Sequence, residues 1–258
     1  MGQKGKKRFG QNFLRDQFII QKIINCIRLR KNDYVVEIGP GDAALTLPMI
    51  ELIGEVNAIE IDTDLCKVLE KKCEPYGKLN LINDDVLNFD FSKNKNNACK
   101  ARIVGNLPYN ISTPILFHLL SYRKYIKDMN FMLQKEVVER LAAEPNTKNY
   151  GRLSVMLQTY CEINYLFDID ASAFEPIPKV TSSFVNIKPT DEKSKNIKDP
   201  ECFSSLVLAC FSHRRKTLAN NLKSILSERK ILAMGINPKA RAETLEIKDF
   251  INLSNEIN

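Results

Sequence analysis

The stretch "VVEIGPGDAALT", residues 35–46, decides the fold. Val35 and Val36 form a β-branched pair suited to a buried strand, Gly39 and Gly41 then turn the chain, and "AALTLPMIELI" (43–53) carries a helix-like apolar pattern. Strand, glycine turn and helix in that order predict the opening of a βαβ unit, with Gly39 and Gly41 where a backbone approaches a ligand closely. The turn alone does not name the ligand. Ala44 stands at the third position of the dinucleotide fingerprint and Pro40 sits between the glycines, so phosphate binding is not favoured and a plain tight turn is the simpler alternative.

Upstream, "DQFIIQKIINCI" (16–27) places Ile19, Ile20, Ile23, Ile24 and Ile27 on one helical face, with Asp16 available as N-cap. Downstream the alternation continues: "EVNAIEID" (55–62), a charged helical stretch near 63–74, "LNLIN" (79–83), "ARIV" (101–104), a helix from Ser112, and "MNFML" (129–133). Strands separated by helical stretches predict an α/β fold with parallel strands wound on both faces of one sheet. "GRLSVMLQTYCEI" (151–163) reads as a further helix and "SSFVNIKP" (182–189) as a closing strand. The polar, charged "PTDEKSKNIKDP" (189–200) is the linker candidate. Beyond it "CFSSLVLACF" (202–211) and "LANNLKSIL" (218–226) have helical periodicity. Two domains are expected, an α/β domain over residues 1–190 with a basic leader (1–15), and a small all-helical domain over 191–258.

Composition narrows the classes. Apolar runs fall well short of a membrane span, and the amino terminus lacks the apolar block of a secretory signal, so a cytoplasmic protein without membrane association is expected. Seven cysteines, an odd number without a Cys-x-x-Cys pair, read as reduced thiols, and with only two histidines no zinc constellation is expected. The net charge of +7 is concentrated: residues 1–33 hold nine Lys or Arg against two Asp, and "HRRK" (213–216) forms a second cluster. Two separated patches, Lys6, Lys7 and Arg8 in the first and Arg214, Arg215 and Lys216 in the second, suggest grips on the phosphates of an extended polyanion. The plainer alternative is a basic leader and a solvated helix start.

Glu60 lies 21 positions after Gly39, where an acidic side chain accepts hydrogen bonds from both hydroxyls of a ribose. Asp85 ends the next strand and would reach the same crevice to meet an adenine amino group. A nicotinamide dehydrogenase would use only the first two of these features, whereas an S-adenosylmethionine (SAM) methyltransferase uses all three and needs an acceptor site after the fourth strand. "GNLPY" (105–109) occupies that place. An exocyclic adenine amine is a poor nucleophile because its lone pair is delocalised into the ring, and it is helped by acceptors that hold its two hydrogens while the nitrogen turns tetrahedral. The Asn106 side-chain oxygen and a backbone carbonyl at Leu107 or Pro108 suit that task. Tyr109 offers a ring for a flipped-out base.

With these motifs in hand the chain resembles the small-subunit (16S) ribosomal RNA adenine N6,N6-dimethyltransferases, in particular their bacterial branch. The matching stretches are "KRFGQNFL" (7–14), "VEIGPG" (36–41), "GNLPYNIST" (105–113), "FMLQKEVVERL" (131–141), "YGRLSVMLQ" (150–158), "FEPIPKVTSSFV" (174–185) and "HRRKTLANNLK" (213–223). The resemblance implies a Rossmann-like SAM-dependent methyltransferase sheet with a helical rRNA-binding domain. It also implies dimethylation of two adjacent adenosines near the 3′ end of 16S rRNA in an assembling small ribosomal subunit; a monomer is expected. Carried over position by position, it implies that Asn12, Leu14, Gly39, Glu60, Asp85 and Asn106 contact SAM, and that Tyr109 and Phe174 sandwich the target base. A core aromatic before a proline-braced loop is the alternative for Phe174. Glu37 and His118 read as structural. The rival readings are a large-subunit rRNA adenine methylase of the macrolide-resistance type, and a mainly noncatalytic ribosome-assembly or transcription factor on the same fold.

Overall fold

The computed structural model describes residues 12–93 and 99–257. Strand β1 (Phe13–Leu14) leads into helix α1 (Gln17–Ile27), whose N-cap Asp16 accepts hydrogen bonds from the backbone N–H groups of Phe18 and Ile19. Ile20, Ile23, Ile24 and Ile27 are all buried on one stripe of α1, and each contributes roughly 1.5–3 kcal/mol by leaving water. Then follow β2 (Val35–Ile38), α2 (Thr46–Ile53), β3 (Glu55–Glu60), α3 (Thr63–Cys73), β4 (Lys78–Asn83), β5 (Ala101–Asn106), α4 (Ser112–Ser121) and β6 (Ile126–Gln134). Helix α2 starts three residues later than its apolar pattern suggests, because Ala43 sits at φ +72°, a left-handed conformation that prolongs the glycine turn.

These strands join a seven-stranded sheet in the order β4-β3-β2-β5-β6-β9-β7, with β9 spanning Ser182–Pro189 and β7 Cys161–Ile169. The pairs β4·β3, β3·β2, β2·β5 and β5·β6 are parallel, and β6·β9 is antiparallel. The chain runs outward from β2 to β4, returns to the other side of β2 for β5, and so creates a switch point whose crevice lies beyond the carboxyl ends of β2 and β5. Gly105 permits close strand contact there. It lies opposite Ile38, and a Cβ at this position would stand 2.6 Å from the Ile38 carbonyl oxygen.

Two short elements escaped the sequence reading: β1, and its antiparallel partner β8 (Phe174–Glu175). The helix expected over 151–163 ends early as α6 (Arg152–Tyr160), since Cys161 is already extended and opens the edge strand β7. Exposed on much of both faces, β7 lacks the strict in–out alternation that marks a half-buried strand.

At the opposite end of β5, Arg102 is buried and its guanidinium bonds to Asp128, Asp33 and the carbonyls of Ile27 and Arg28. Burial alone would raise the pKa of Asp33, but hydrogen bonds from Lys127 and Arg102 hold it at about 2. This network ties the end of α1 to the sheet.

The chain forms two compact units, one running to Val138 and including Asn164–Pro189, the other combining Glu139–Ile163 with Thr190–Asn258. The break after Pro189 falls at the head of the expected linker. Residues 139–163, expected in the α/β domain, instead group with the C-terminal helices α7 (Pro200–Cys210), α8 (Leu218–Leu222), α9 (Glu228–Ala233) and α10 (Ile247–Asn255). Aromatic contacts explain the grouping: Tyr160 meets Phe203 edge-on at 6.2 Å, Tyr150 meets Phe211 at 6.3 Å, and Phe211 stacks on Phe250 at 5.7 Å. Helix α5 (Lys135–Leu141) and β7 each cross the division between the units.

Candidate active site

A cavity of about 290 Å³ opens at the carboxyl ends of β2, β3, β4 and β5. Its wall contains Asn12, Leu14, Gly39, Gly41, Glu60, Asp85, Asn106, Leu107, Pro108 and Tyr109. The sequence-predicted residues of both the cofactor and acceptor sites, Phe174 excepted, therefore share one cavity.

The first wall is made by backbone. Gly39 and Gly41 have φ of +64° and +59°, where an L side chain is strained, and a Cβ on Gly41 would also press on the Phe13 ring at 3.1 Å. Asp42 is held from two sides, its carboxylate by Arg15 and its backbone carbonyl by Lys72. Glu60 is 4% exposed; one carboxylate oxygen accepts from the Asp62 N–H at 2.9 Å and the other from the Gly41 N–H at 3.4 Å. Burial raises its pKa, against the pull of those two backbone donors. Asp85 is half-buried and accepts from the Leu87 N–H at 2.9 Å.

Glu37, read from sequence as structural, also lines this wall. It is 2% exposed and accepts a 2.6 Å hydrogen bond from the Thr46 hydroxyl. Burial pushes its pKa up to about 8; the Thr46 bond opposes that shift, and the nearby charges of Glu60 and Asp42 add to it. A lone carboxyl inside an otherwise apolar strand, two residues before a glycine turn, was the available signal.

The second wall is set by side-chain hydrogen bonds over long sequence separations. Asn106 Nδ2 donates to the Asn12 carbonyl oxygen at 2.8 Å, a bond between residues 94 positions apart. Leu107 is buried, with its N–H on the Met132 carbonyl at 3.2 Å, and the Pro108 carbonyl accepts the Ile111 N–H at 3.2 Å. The Tyr109 hydroxyl lies 2.6 Å from the Ser182 hydroxyl.

Phe174 departs from its expected place. It is 2% exposed, pairs opposite Leu14 in β1·β8, belongs to the core cluster with Ile20 and Met49, and is not part of the cavity wall. The ring packs in the core beside the β1·β8 pair, apart from the cavity wall that holds Tyr109. His118 bonds to the Phe89 carbonyl and packs against Phe91 and Tyr122, a structural setting.

Of the basic residues, Lys6, Lys7 and Arg8 lie outside the described residues. In the second unit Arg214 reaches Glu243 at 3.2 Å and also donates to the Lys148 carbonyl, so its guanidinium braces the unit; Arg215 and Lys216 are exposed. Among the described residues no cluster of His, Cys, Asp and Glu is arranged to hold a metal, and no helix is long and apolar enough to cross a membrane.

Comparison with known proteins places this geometry. The profile of the family described as "Ribosomal RNA adenine dimethylase" matches residues 2–258. The "Ribosomal RNA small subunit methyltransferase A" of Acinetobacter baylyi is 49% identical over 256 residues, covering 99% of this chain and 93% of the relative; that of Nitrosococcus oceani is 47% identical, covering 98% and 96%. Among solved structures, a dimethyladenosine transferase from Plasmodium falciparum superimposes with a TM-score of 0.81 at 27% identity, covering 95% of this chain and 97% of that one. The 23S rRNA methyltransferase ErmE does so with a TM-score of 0.72 at 25% identity, covering 95% and 99%. With a cavity built at the switch point of a methyltransferase sheet and a family match over nearly its whole length, the chain belongs to the ribosomal RNA adenine dimethylase family.

Proposed function

We propose that the protein transfers methyl groups from SAM to the N6 amines of two adjacent adenosines near the 3′ end of 16S rRNA, as a cytoplasmic monomer acting on the assembling small subunit. One observation carries the reading: Asn106, Leu107, Pro108 and Tyr109 open into the same cavity as Glu60 and Asp85. The residues present fit the cofactor. Each Glu60 oxygen already holds one backbone N–H and has lone-pair capacity for a further donor, which a ribose diol supplies. Asp85 has the same capacity toward an adenine amine, and Gly39 and Gly41 leave room along the loop. When bound, SAM supplies an electrophilic sulfonium methyl group.

The chain's own residues then act on the acceptor. With Nδ2 of Asn106 committed to the Asn12 carbonyl, Oδ1 is the atom left to accept a hydrogen from the target amine. The Pro108 carbonyl already accepts the Ile111 N–H inside the turn, so the Leu107 carbonyl is the less engaged of the two candidates for the second acceptor. No strong base is needed, because the two acceptors favour the tetrahedral nitrogen on which attack depends. The Tyr109 ring supports the base by stacking, at ~1–3 kcal/mol. Arg215 and Lys216, with Lys6, Lys7 and Arg8, grip phosphates and supply affinity without base specificity.

The test is direct. The protein is incubated with labelled SAM and small subunits from an unmethylated strain, and the modified nucleotides are mapped. Label on two adjacent adenosines of 16S rRNA is expected; label at other 16S positions only, or none, would overturn the reading.

A further inference from the structure

The stretch 174–185 was expected to serve the site through Phe174, yet that ring is in the core. The same segment reaches the acceptor wall at another residue. Ser182 opens β9 opposite Gln134 of β6, and the preceding carbonyl, that of Thr181, accepts the Lys135 N–H at 3.0 Å. Two strands therefore fix its backbone, and its side chain is fully buried. From that position its hydroxyl meets the Tyr109 phenol at 2.6 Å. At the other end of Tyr109, Pro108 restricts the backbone entering the residue. The ring of this cavity-lining residue is thus held at its backbone and at its tip.

We propose that Ser182 is a positioning residue for methyl transfer: it anchors the phenol of Tyr109 so that the ring is fixed in the plane that receives the target base, and the hydroxyl serves as this anchor rather than as a proton donor or acceptor in the reaction. Burial also raises the pKa of the Tyr109 phenol, with the Ser182 bond opposing. The proposal rests on the reading of Tyr109 as the base platform given above.

The test uses single-turnover methyl transfer to unmethylated small subunits at saturating SAM, with Ser182→Ala, Tyr109→Phe, the double variant and Tyr109→Ala. Ser182→Ala and Tyr109→Phe are each expected to slow transfer by roughly 10-fold, because a misplaced reactant loses rate without any loss of chemistry. SAM affinity and melting temperature stay at wild-type values, and the double variant is no slower than either single one. A Ser182→Ala rate equal to wild type would overturn the proposal. So would multiplying effects in the double variant, or a slowed rate that tracks a lowered melting temperature. Tyr109→Phe perturbs the same contact from the cavity side, so the question stays answerable if Ser182→Ala fails to fold. If Tyr109→Ala itself transfers methyl groups normally, the base-platform reading fails. If Tyr109→Ala is slow while both anchor variants are normal, only the anchor is lost.

Discussion

The two walls of the cavity are built by different means. The glycine-loop wall depends on backbone conformation at Gly39 and Gly41 and on carboxylates at strand ends, with Glu60 held by N–H groups from within the same βαβ unit. The acceptor wall depends on two side-chain hydrogen bonds that join residues 94 and 73 positions apart. A wall made by local backbone tolerates change elsewhere in the chain, whereas a wall oriented by distant partners is only as accurate as the packing that brings them together. The difference predicts separable losses, of binding on one side and of rate on the other.

The largest effect is expected at Asn106. Asn106→Ala removes the amide oxygen where the amine turns tetrahedral, and should lower the single-turnover rate by ~100-fold or more while rRNA binding and folding are retained. A near-wild-type rate would erase the distinction between the walls. Gly105→Ala sharpens the comparison, since this position lets β5 approach β2 so that both walls share one cavity. Its new Cβ would meet the Ile38 carbonyl oxygen at 2.6 Å, and a loss of ~1–3 kcal/mol in urea unfolding is expected. Stability equal to wild type would show that the strands separate freely there.

Glu60→Ala probes the other wall. Loss of hydrogen bonds to a charged acceptor should weaken SAM binding by ~1.5–3 kcal/mol in calorimetry, with the rate at saturating SAM much less affected. An unchanged dissociation constant would move the cofactor off this wall.

Per pH unit, the smallest effect is a slope in stability. Glu37 holds its proton in the fold up to about pH 8, against an ordinary value of 4.5. The folded state therefore binds more protons than the unfolded chain between these values. Its contribution is fully present below about 4.5 and is lost as pH rises through about 8, at up to ~1.4 kcal/mol per pH unit. Glu37→Gln should flatten that decline in urea titrations across the window, leaving the contribution of Glu60, which burial also raises. An unaltered slope would mean that Glu37 is charged in the fold.

The amino-acid sequence by itself determined the parts of this protein that rest on local chemistry. The β-branched pair Val35–Val36, the Gly-Pro-Gly turn, the Asp16 cap and the isoleucine stripe of α1 each specify backbone over a few residues. The spacing of Glu60 and Asp85 follows because consecutive parallel strands end at the same edge of the sheet. Tertiary structure decided the rest. The two-residue strands β1 and β8 have too little pattern of their own and exist only because they pair with each other. That pairing buries Phe174 and sets Asn12 against Asn106, while the β6·β9 register delivers Ser182 to Tyr109. The grouping of residues 139–163 with the C-terminal helices likewise came from aromatic contacts across the sequence. A residue type announces which bonds it can make, but a partner 73 or 94 positions away is selected only when the whole core closes around both.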